Sequence, residues 1–212
     1  LAVVRPLLHA ASGTRPRVDL FLTDRDRTAL GGRLRALGVD GTRPIVTIHP
    51  GASWRPRAWH TERFAEVGRQ LIAQYSVEIV FVGGPEDRDI AEAIRSGVAA
   101  PRAHFLFGSQ SLREVAALIA RSALMIGNDS GLAHIAAACG TPLVALFGPQ
   151  DPRRFRPWSD SVTVLHKPVE CFPCRQSVCV RPDLPCVNLI EVEEVLAAAR
   201  PILNRAVRVA EP

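Results

Sequence analysis

The chain has 212 residues, of which 47% are hydrophobic, and its formal net charge is +5. This length and apolar content are typical of one large globular domain or of one and a half smaller ones, and no apolar run approaches the ~20 residues that a membrane-spanning helix needs. The positive charge comes almost entirely from arginines. Because these are scattered rather than gathered into a basic stretch with interleaved aromatic residues, we expect no nucleic-acid partner.

The N-terminus shows no export signal. The chain begins with Leu1 rather than Met, and Arg5 and Pro6 interrupt its first apolar residues too early for a secretory signal peptide. Because the chain begins with Leu1, we predict that it is part of a longer one, and we expect a cytoplasmic protein.

The predicted elements are sparse at first and regular after Pro44. Residues 1–43 are rich in Arg, Gly and Pro, and within them only residues 27–37 are predicted to form a helix, ended by Gly38. From Pro44 onward, strands and helices alternate. The predicted strands cover residues 45–49, 77–82, 104–107, 123–126, 143–147 and 162–165. The predicted helices cover residues 61–74, 87–98, 111–121, 130–139 and 190–203.

This alternation predicts the fold class. Strands separated by helices of ten or more residues indicate an α/β fold, a Rossmann-like parallel sheet with helices on both faces. Right-handed crossovers bring the carboxyl ends of all strands to one edge of the sheet, where such folds bind their ligands. Polar turns at that edge are therefore the first candidates for function.

The first polar turn, residues 49–59, follows the first strand of the regular region. Gly51 permits a close approach of the backbone to a ligand, Ser53 can donate to a phosphate, and Arg57 can form several charge-assisted hydrogen bonds. A solvated loop with exposed arginines is the alternative. The two tryptophans in this turn argue against that alternative, because tryptophans are uncommon in plain surface loops.

The second and third turns leave alternatives open. In the turn at residues 83–87, Glu86 or Asp87 could accept hydrogen bonds from the hydroxyls of a ribose, or could cap the following helix. The two acids could also divide these roles. In the turn at residues 108–111, the backbone amides could meet a base edge, but capping of the next helix by Ser111 is the favoured interpretation.

The fourth turn precedes a predicted helix, whose free N-terminus would be an anion site. Ser130 is predicted to cap this helix with its hydroxyl, and Gly131 leaves the backbone open to a ligand phosphate. His134, one turn into the helix, could face that phosphate or could be a packed, hydrogen-bonded residue. Asp129 would repel a phosphate, so we expect it to orient other groups.

Several common catalytic motifs are absent from the sequence. It has no Gly-x-Ser-x-Gly nucleophile elbow, no Gly-x-Gly-x-x-Gly opening and no Walker loop. These absences disfavour a serine hydrolase, a hydride-transfer enzyme and a phosphoryl-transfer ATPase.

Four segments, taken together, resemble glycosyltransferase family 9, which contains the ADP-heptose:lipopolysaccharide heptosyltransferases. They are residues 48–59, 81–86, 128–134 and 142–152. The resemblance implies a GT-B fold, in which two Rossmann-like domains face a cleft. Residues 44–212 would be the C-terminal, nucleotide-sugar-binding domain, and residues 1–43 would be the end of the N-terminal acceptor domain and a linker.

The resemblance also implies roles for individual residues. Ser53 and Arg57 would contact the phosphates or the sugar of the donor, although family members often have Lys where Arg57 stands. Glu86 would hold the ribose, and the residues of the fourth turn would surround the diphosphate and the sugar. The predicted donor-binding residues are Gly51, Ser53, Arg57, Glu86, Asp129, Ser130, Gly131 and His134.

The implied reaction is an inverting transfer of heptose, or a related sugar, from an ADP-sugar to a glycolipid acceptor of the lipid A-core type. The general base would be an Asp in the N-terminal domain, outside this chain, and no metal cofactor would be needed for transfer. A membrane-anchored acceptor implies peripheral association with the inner membrane. The alternatives are another GT-B enzyme that uses a UDP-sugar, or a non-catalytic nucleotide- or metal-binding module.

Four cysteines lie close together in the loop at residues 171–186. Four thiols could hold a structural zinc ion, although their spacing does not match a standard pair of Cys-x-x-Cys motifs. In a cytoplasmic protein, disulfides are less expected than metal ligands or free thiols, and metal and free thiols both stay open. The cysteines are Cys171, Cys174, Cys179 and Cys186.

Overall fold

A parallel sheet of six strands forms the centre of the computed structural model, which describes residues 18–108, 110–172, 174, 179–181 and 185–210. Every neighbouring pair of strands is parallel. The order across the sheet is β3-β2-β1-β4-β5-β6. The predicted Rossmann-like α/β fold is therefore confirmed. The strands are β1 (Ile45–His49), β2 (Glu78–Gly83), β3 (Ala103–Phe107), β4 (Leu124–Asn128), β5 (Leu143–Phe147) and β6 (Val162–His166).

Helices cover both faces of this sheet. α2, α3 and α7 pack on one face, and α1, α4 and α5 pack on the other. The helices are α1 (Asp24–Ala36), α2 (Thr61–Gln74), α3 (Arg88–Val98), α4 (Leu112–Arg121), α5 (Gly131–Cys139), α6 (Pro152–Phe155) and α7 (Val192–Ala210). Among the described residues, none of the helices combines the length and the apolar character needed to cross a bilayer.

The burial of the strands explains why their sequences are continuous apolar runs. All residues of β2, β4 and β5 are buried, because helices cover both of their faces. The edge strand β3 instead alternates between buried and partly buried positions. Each face has its own hydrophobic core, centred on residues such as Phe64 and Phe81 on one side and Leu118 and Met125 on the other.

Helix α1 packs against the sheet domain, next to α4. It begins three residues earlier than predicted, because Thr23 and Asp26 form a capping box that we did not recognise in the sequence. Leu30 and Leu34 of this helix are buried in the core that it shares with α4. The assignment of residues 1–43 to a preceding domain and a linker stays a prediction, and residues 1–17 lie outside the described residues.

Two other helices also differ from the predictions. The four-residue helix α6 was not predicted, since so short an element shows no periodicity; Asp151 caps it by accepting from the amide of Arg153. Helix α7 continues to Ala210, past the predicted end at residue 203, although Pro201 lies inside it.

The sheet has a topological switch point between β1 and β4. The chain builds outward from β1 to β2 and β3, then returns to the other side of β1 and continues through β4, β5 and β6. At this point His49 is the register partner of Gly127. In open α/β sheets, ligands bind in the crevice outside the strand ends where the order reverses.

Candidate functional site

A cleft of about 580 Å³ that opens to solvent lies at the switch point. It is formed by the turns that follow β1, β2 and β4 and by the N-terminal parts of α4 and α5. Its volume is sufficient for a small-molecule ligand. All eight of the predicted donor-binding residues line this cleft: Gly51, Ser53, Arg57, Glu86, Asp129, Ser130, Gly131 and His134.

Arg57 and Asp129 approach each other inside the cleft without forming a hydrogen bond. The distance from Nε of Arg57 to Oδ2 of Asp129 is 3.7 Å. Both atoms are buried and lack a hydrogen-bond partner within the described part of the chain. Burial raises the pKa of the Asp129 carboxyl, although the nearby charge of Arg57 opposes this shift. An unsatisfied buried donor and acceptor are costly, so this pair indicates a place where a ligand or water completes the hydrogen bonding.

The prediction that Ser130 caps α5 is wrong. Ser130 occupies the N-cap position with an extended backbone, but its side chain makes no capping hydrogen bond. Its Oγ instead lies 3.2 Å from Nδ1 of His49. The first amides of α5 therefore have no side-chain cap, and nothing lies within 4 Å of the position that a Cβ would occupy on Gly131. The helix presents an open N-terminus to the cleft, as an anion site requires.

The structure separates the two acids of the second turn. Oδ2 of Asp87 accepts from the amide of Gly84 at 3.0 Å, so Asp87 stabilises the turn. Burial raises the pKa of the Asp87 carboxyl, which that amide partly opposes. Glu86 is exposed on the wall of the cleft. Asp87 stands at the N-cap of α3 but makes no side-chain capping hydrogen bond to that helix, so the alternative in which Asp87 caps it is wrong, and the ribose contact of Glu86 stays a prediction.

Gly51 serves a different purpose from the one that its sequence context suggested. A Cβ at this position would lie 2.8 Å from Oδ2 of Asp87 and 3.0 Å from Nε2 of His49. The missing side chain therefore makes room for neighbouring side chains of the protein. Whether a ligand also approaches Gly51 stays a prediction.

The buried side chain of Asn128 holds the Arg57 turn in place, a role that was not predicted from the sequence. Its Oδ1 accepts from the amide of Trp59 at 3.1 Å, and its Nδ2 donates to the carbonyl of Pro50 at 2.8 Å. The buried Trp59 is further held by its Nε1, which donates to the carbonyl of Ile190 at 2.9 Å. These bonds tie both ends of the turn that carries Arg57 to the end of β4. The sequence feature that could have indicated this role is a polar Asn at the end of a buried apolar strand.

The rim of the cleft carries two exposed apolar side chains that were not predicted. Leu112 and Phe155 are 63% and 46% exposed, respectively, and both line the cleft. Leu112 begins α4, which Ser111 caps by accepting from the amide of Glu114, as predicted. In the third turn, Nε2 of Gln110 donates to the carbonyl of Gly83 at 2.6 Å. Residue 109 lies outside the described residues.

The four clustered cysteines line a second, separate cavity. They share it with Trp54 and Pro56 of the Arg57 turn, and the structure contains them as free thiols. Burial raises the pKa of the Cys186 thiol, and the other cysteines of the cluster add to this shift. In the part of the chain that the structure describes, no three His, Cys, Asp or Glu side chains are arranged to hold a metal ion. Residues 173, 175–178 and 182–184 of the loop lie outside the described residues, but all four cysteines are described, and the structure does not bring their thiols together as metal ligands. Zinc binding at this cluster stays a prediction.

Comparisons with known proteins identify the family. The family model of glycosyltransferase family 9 (heptosyltransferase) matches residues 14–184. Lipooligosaccharide heptosyltransferase 2 of Haemophilus influenzae is 36% identical over 129 residues, which cover 59% of this chain and 37% of that protein. The match thus covers well under half the length of this relative.

Solved structures agree with the fold. The glycosyl transferase family 9 structure from Veillonella parvula superposes with a TM-score of 0.81 at 23% identity, covering 96% of this chain and 58% of that one. The ADP-heptose lps heptosyltransferase II of E. coli superposes with a TM-score of 0.73 at 24% identity, covering 88% of this chain and 54% of that one. These likenesses place the sheet and its helices among heptosyltransferase folds. The family model, which matches more than half of the chain, shows that it belongs to glycosyltransferase family 9.

Proposed function

We propose that this chain is the donor-binding half of an inverting heptosyltransferase that acts on a lipopolysaccharide core. The supporting observation is that one cleft combines the unsatisfied Nε of Arg57 with the uncapped N-terminus of α5. A cation and free helix amides that converge on one space suit a diphosphate. The family relatives supply the sugar class, because their names describe heptosyltransferases of lipopolysaccharide or lipooligosaccharide.

The donor would lie along the crevice between β1 and β4. Its diphosphate would meet the first amides of α5 and the guanidinium of Arg57, with Ser53 nearby. Glu86, on the wall next to β2, would accept from the ribose hydroxyls. The sugar would then extend toward Asp129 and His134. Each of these groups lines the same cleft.

In this reaction, an acceptor hydroxyl attacks the anomeric carbon as the bond from that carbon to the diphosphate breaks. A base in the preceding domain takes the proton from the hydroxyl, and the electron pair of the broken bond leaves with ADP. This chain would contribute the stabilisation of the leaving group. Arg57 and the amides of α5 are fixed before the reaction and face the growing negative charge. No metal ion is needed for this step.

The acceptor and the location of the protein follow from the same proposal. A lipid A-core acceptor is anchored in the inner membrane, so the enzyme would work in the cytoplasm as a peripheral membrane protein. An arginine-rich chain with a net charge of +5 is suited to a surface of anionic lipids.

Isothermal titration of the chain with ADP and with UDP tests the donor class. We expect ADP to bind more tightly, and we expect Arg57→Ala to weaken ADP binding by about tenfold or more, since it removes a charge-assisted hydrogen bond. The matched control is Arg200→Ala, which removes an exposed arginine of α7 outside the cleft. Tighter binding of UDP would favour a GT-B enzyme with a UDP-sugar donor.

The cysteine cluster supports a second, narrower proposal, a structural zinc site in the loop at residues 171–186. Four thiols line one cavity, and four thiolates are a sufficient ligand set for tetrahedral zinc. Metal analysis of the purified chain should find about one zinc ion, lost in Cys171→Ser and in Cys186→Ser but kept in Cys139→Ser. Metal loss on chelation with no response to any nucleotide would favour the non-catalytic module.

A further inference from the structure

One hydrogen bond crosses the switch point of the sheet. It joins Nδ1 of His49 to Oγ of Ser130 over 3.2 Å. His49 is the last residue of β1, and Ser130 stands immediately before α5. The contact therefore links the two strand ends that form the floor of the cleft. Both residues line the cleft, but His49 was not among the predicted site residues.

Two glycines lie next to His49, Gly127 beside its backbone and Cβ and Gly51 beside its ring. A Cβ on Gly127 would lie 2.9 Å from the carbonyl oxygen of His49 and 3.3 Å from its Cβ. A Cβ on Gly51 would lie 3.0 Å from Nε2 of the same ring. A larger residue at position 127 would press on the backbone of β1, and one at position 51 would press on the ring. In the structure, Nδ1 is the ring nitrogen that lies next to Ser130.

This histidine is neutral at physiological pH. Burial lowers the pKa of His49 to about 4, although the nearby carboxylate of Glu86 opposes the shift. A neutral imidazole carries one N–H group, so one ring nitrogen donates and the other accepts. The partner of each nitrogen decides which form is present.

The chemistry of a phosphate ligand selects between the two forms. A serine hydroxyl has a single proton to donate, whereas an ionised phosphate oxygen can only accept. If Ser130 gave its proton to His49, it would turn lone pairs toward the phosphate and repel it. If Nδ1 carries the proton and donates to Oγ, the hydroxyl proton stays available for the phosphate.

We propose that His49 is a positioning residue, which donates from Nδ1 to Oγ of Ser130 and so aims the Ser130 hydroxyl proton at a phosphate oxygen of the bound nucleotide. This inference rests on the proposed function, because it requires an anionic ligand at the N-terminus of α5. It also explains why Ser130 leaves the helix uncapped: the hydroxyl is held toward the cleft, and the amides beside it stay free.

Two substitutions of His49 separate this role from simple packing. The amide N–H of Asn can occupy the place of Nδ1, whereas that of Gln lies near the place of Nε2. Titration of the chain with ADP should show His49→Asn within about threefold of the wild type and His49→Gln weaker by about tenfold, the effect of one typical hydrogen bond. In a Ser130→Ala background, His49→Gln should cause no further loss.

The control is His60→Gln, which changes an exposed histidine outside the cleft and should leave ADP binding unchanged. The inference is overturned if Asn and Gln at position 49 behave alike. It is also overturned if His49→Gln weakens ADP binding equally with and without the Ser130 hydroxyl.

A second measurement reports the tautomer directly. Nitrogen-15 NMR of the chain saturated with ADP reports which ring nitrogen of His49 is protonated, and we expect Nδ1. A ring protonated at Nε2 in this complex would overturn the inference while leaving the proposed function intact. If the wild type bound no ADP at all, the proposed function would fail, and the inference that rests on it would fail with it.

Discussion

Arg57 and Asp129 form an ion pair that is too long to be a hydrogen bond. Nε and Oδ2 are 3.7 Å apart, and the Asp129 side chain is only 7% exposed, against 27% for Arg57. The acid is therefore the more desolvated of the two groups, and burial raises its pKa despite the neighbouring cation. A carboxylate held in this way keeps Arg57 in the cleft but leaves its donors available to a ligand.

The first prediction concerns the stability effect of Asp129. Because burial raises the pKa of this carboxyl in the folded state, folding favours the protonated form, and its contribution to stability falls as the pH rises above the ordinary value of 3.8. At pH 7.5 the free energy of unfolding of Asp129→Asn should therefore equal that of the wild type or exceed it by up to about 1 kcal/mol. Urea denaturation at several pH values measures this difference.

The difference in stability between Asp129→Asn and the wild type should shrink as the pH is lowered toward 4, since the wild-type acid then takes up its proton. Glu92→Gln, an exposed acid on α3, is the matched control and should show no such trend. The opposite result would be a free energy of unfolding of Asp129→Asn that falls further below the wild-type value at pH 7.5 than at pH 4.5. It would mean that the attraction of Arg57 outweighs burial in setting the pKa of this acid.

The second prediction contrasts two serines that stand at helix N-termini. Ser111 caps α4 with its hydroxyl, whereas Ser130 does not cap α5. Ser111→Ala should lower the free energy of unfolding by about 1 kcal/mol, and Ser130→Ala by no more than about 0.5 kcal/mol, since water in the open cleft can replace the lost contact to His49. Urea denaturation of both variants gives the comparison.

Binding of ADP should show the opposite order for these two serines. Ser130→Ala should weaken it, and Ser111→Ala should leave it close to the wild-type value. Equal losses of stability in the two variants would show that Ser130 caps α5 in solution after all.

The third prediction concerns the attachment of α1 to α4. Oδ2 of Asp26 accepts from Arg113 at 2.7 Å and also from the amide of Thr23, and these bonds hold the pKa of the Asp26 carboxyl far below its usual range. A lowered folded-state pKa stabilises the fold above the ordinary aspartate pKa, and this stabilisation is lost as the pH falls below it. Asp26→Asn should therefore destabilise the chain at pH 7.

The loss of stability in Asp26→Asn should be smaller at pH 3 than at pH 7, and urea midpoints of the variant and the wild type at the two pH values measure it. Asp24→Asn is the matched control, because this neighbouring acid on α1 is exposed and pairs with Arg27 of the same helix. A pH-independent loss in Asp26→Asn would mean that its cap, rather than its charge, holds α1 in place.

The fold was largely predictable from the sequence because its signals are local. Continuous apolar runs of five or six residues alternate with amphipathic helices, and this pattern requires a parallel sheet that is covered on both faces. The capping box of Ser111 was recognisable for the same reason. That of Thr23 was missed because Asp26 stands where such a box usually has Glu or Gln.

The site was predictable as a set of turns but not as a set of contacts. Sequence position alone placed Arg57, Asp129 and Ser130 at one edge of the sheet, since all strands end there. The partner of the Ser130 hydroxyl could not be predicted, because His49 is 81 residues away along the chain. The bond depends on β1 and β4 being neighbours, and the order of strands is not a local property of the sequence.

The fourth prediction compares two glycines of the cleft. A Cβ on Gly51 would press against Asp87 and His49, whereas a Cβ on Gly131 would meet nothing within 4 Å. Gly51→Ala should therefore cost about 1–3 kcal/mol of stability through overpacking. Gly131→Ala should leave stability unchanged or slightly higher, because alanine is the better helix former.

For ADP binding we expect Gly131→Ala to be the informative variant. Its methyl group would project into the space where a phosphate approaches the amides of α5, so affinity should fall although the fold is intact. Titration with ADP, paired with urea denaturation of the same samples, separates these two effects. If Gly131→Ala bound ADP as tightly as the wild type, the phosphate could not lie against the first turn of α5, and Arg57 would have to hold it elsewhere in the cleft.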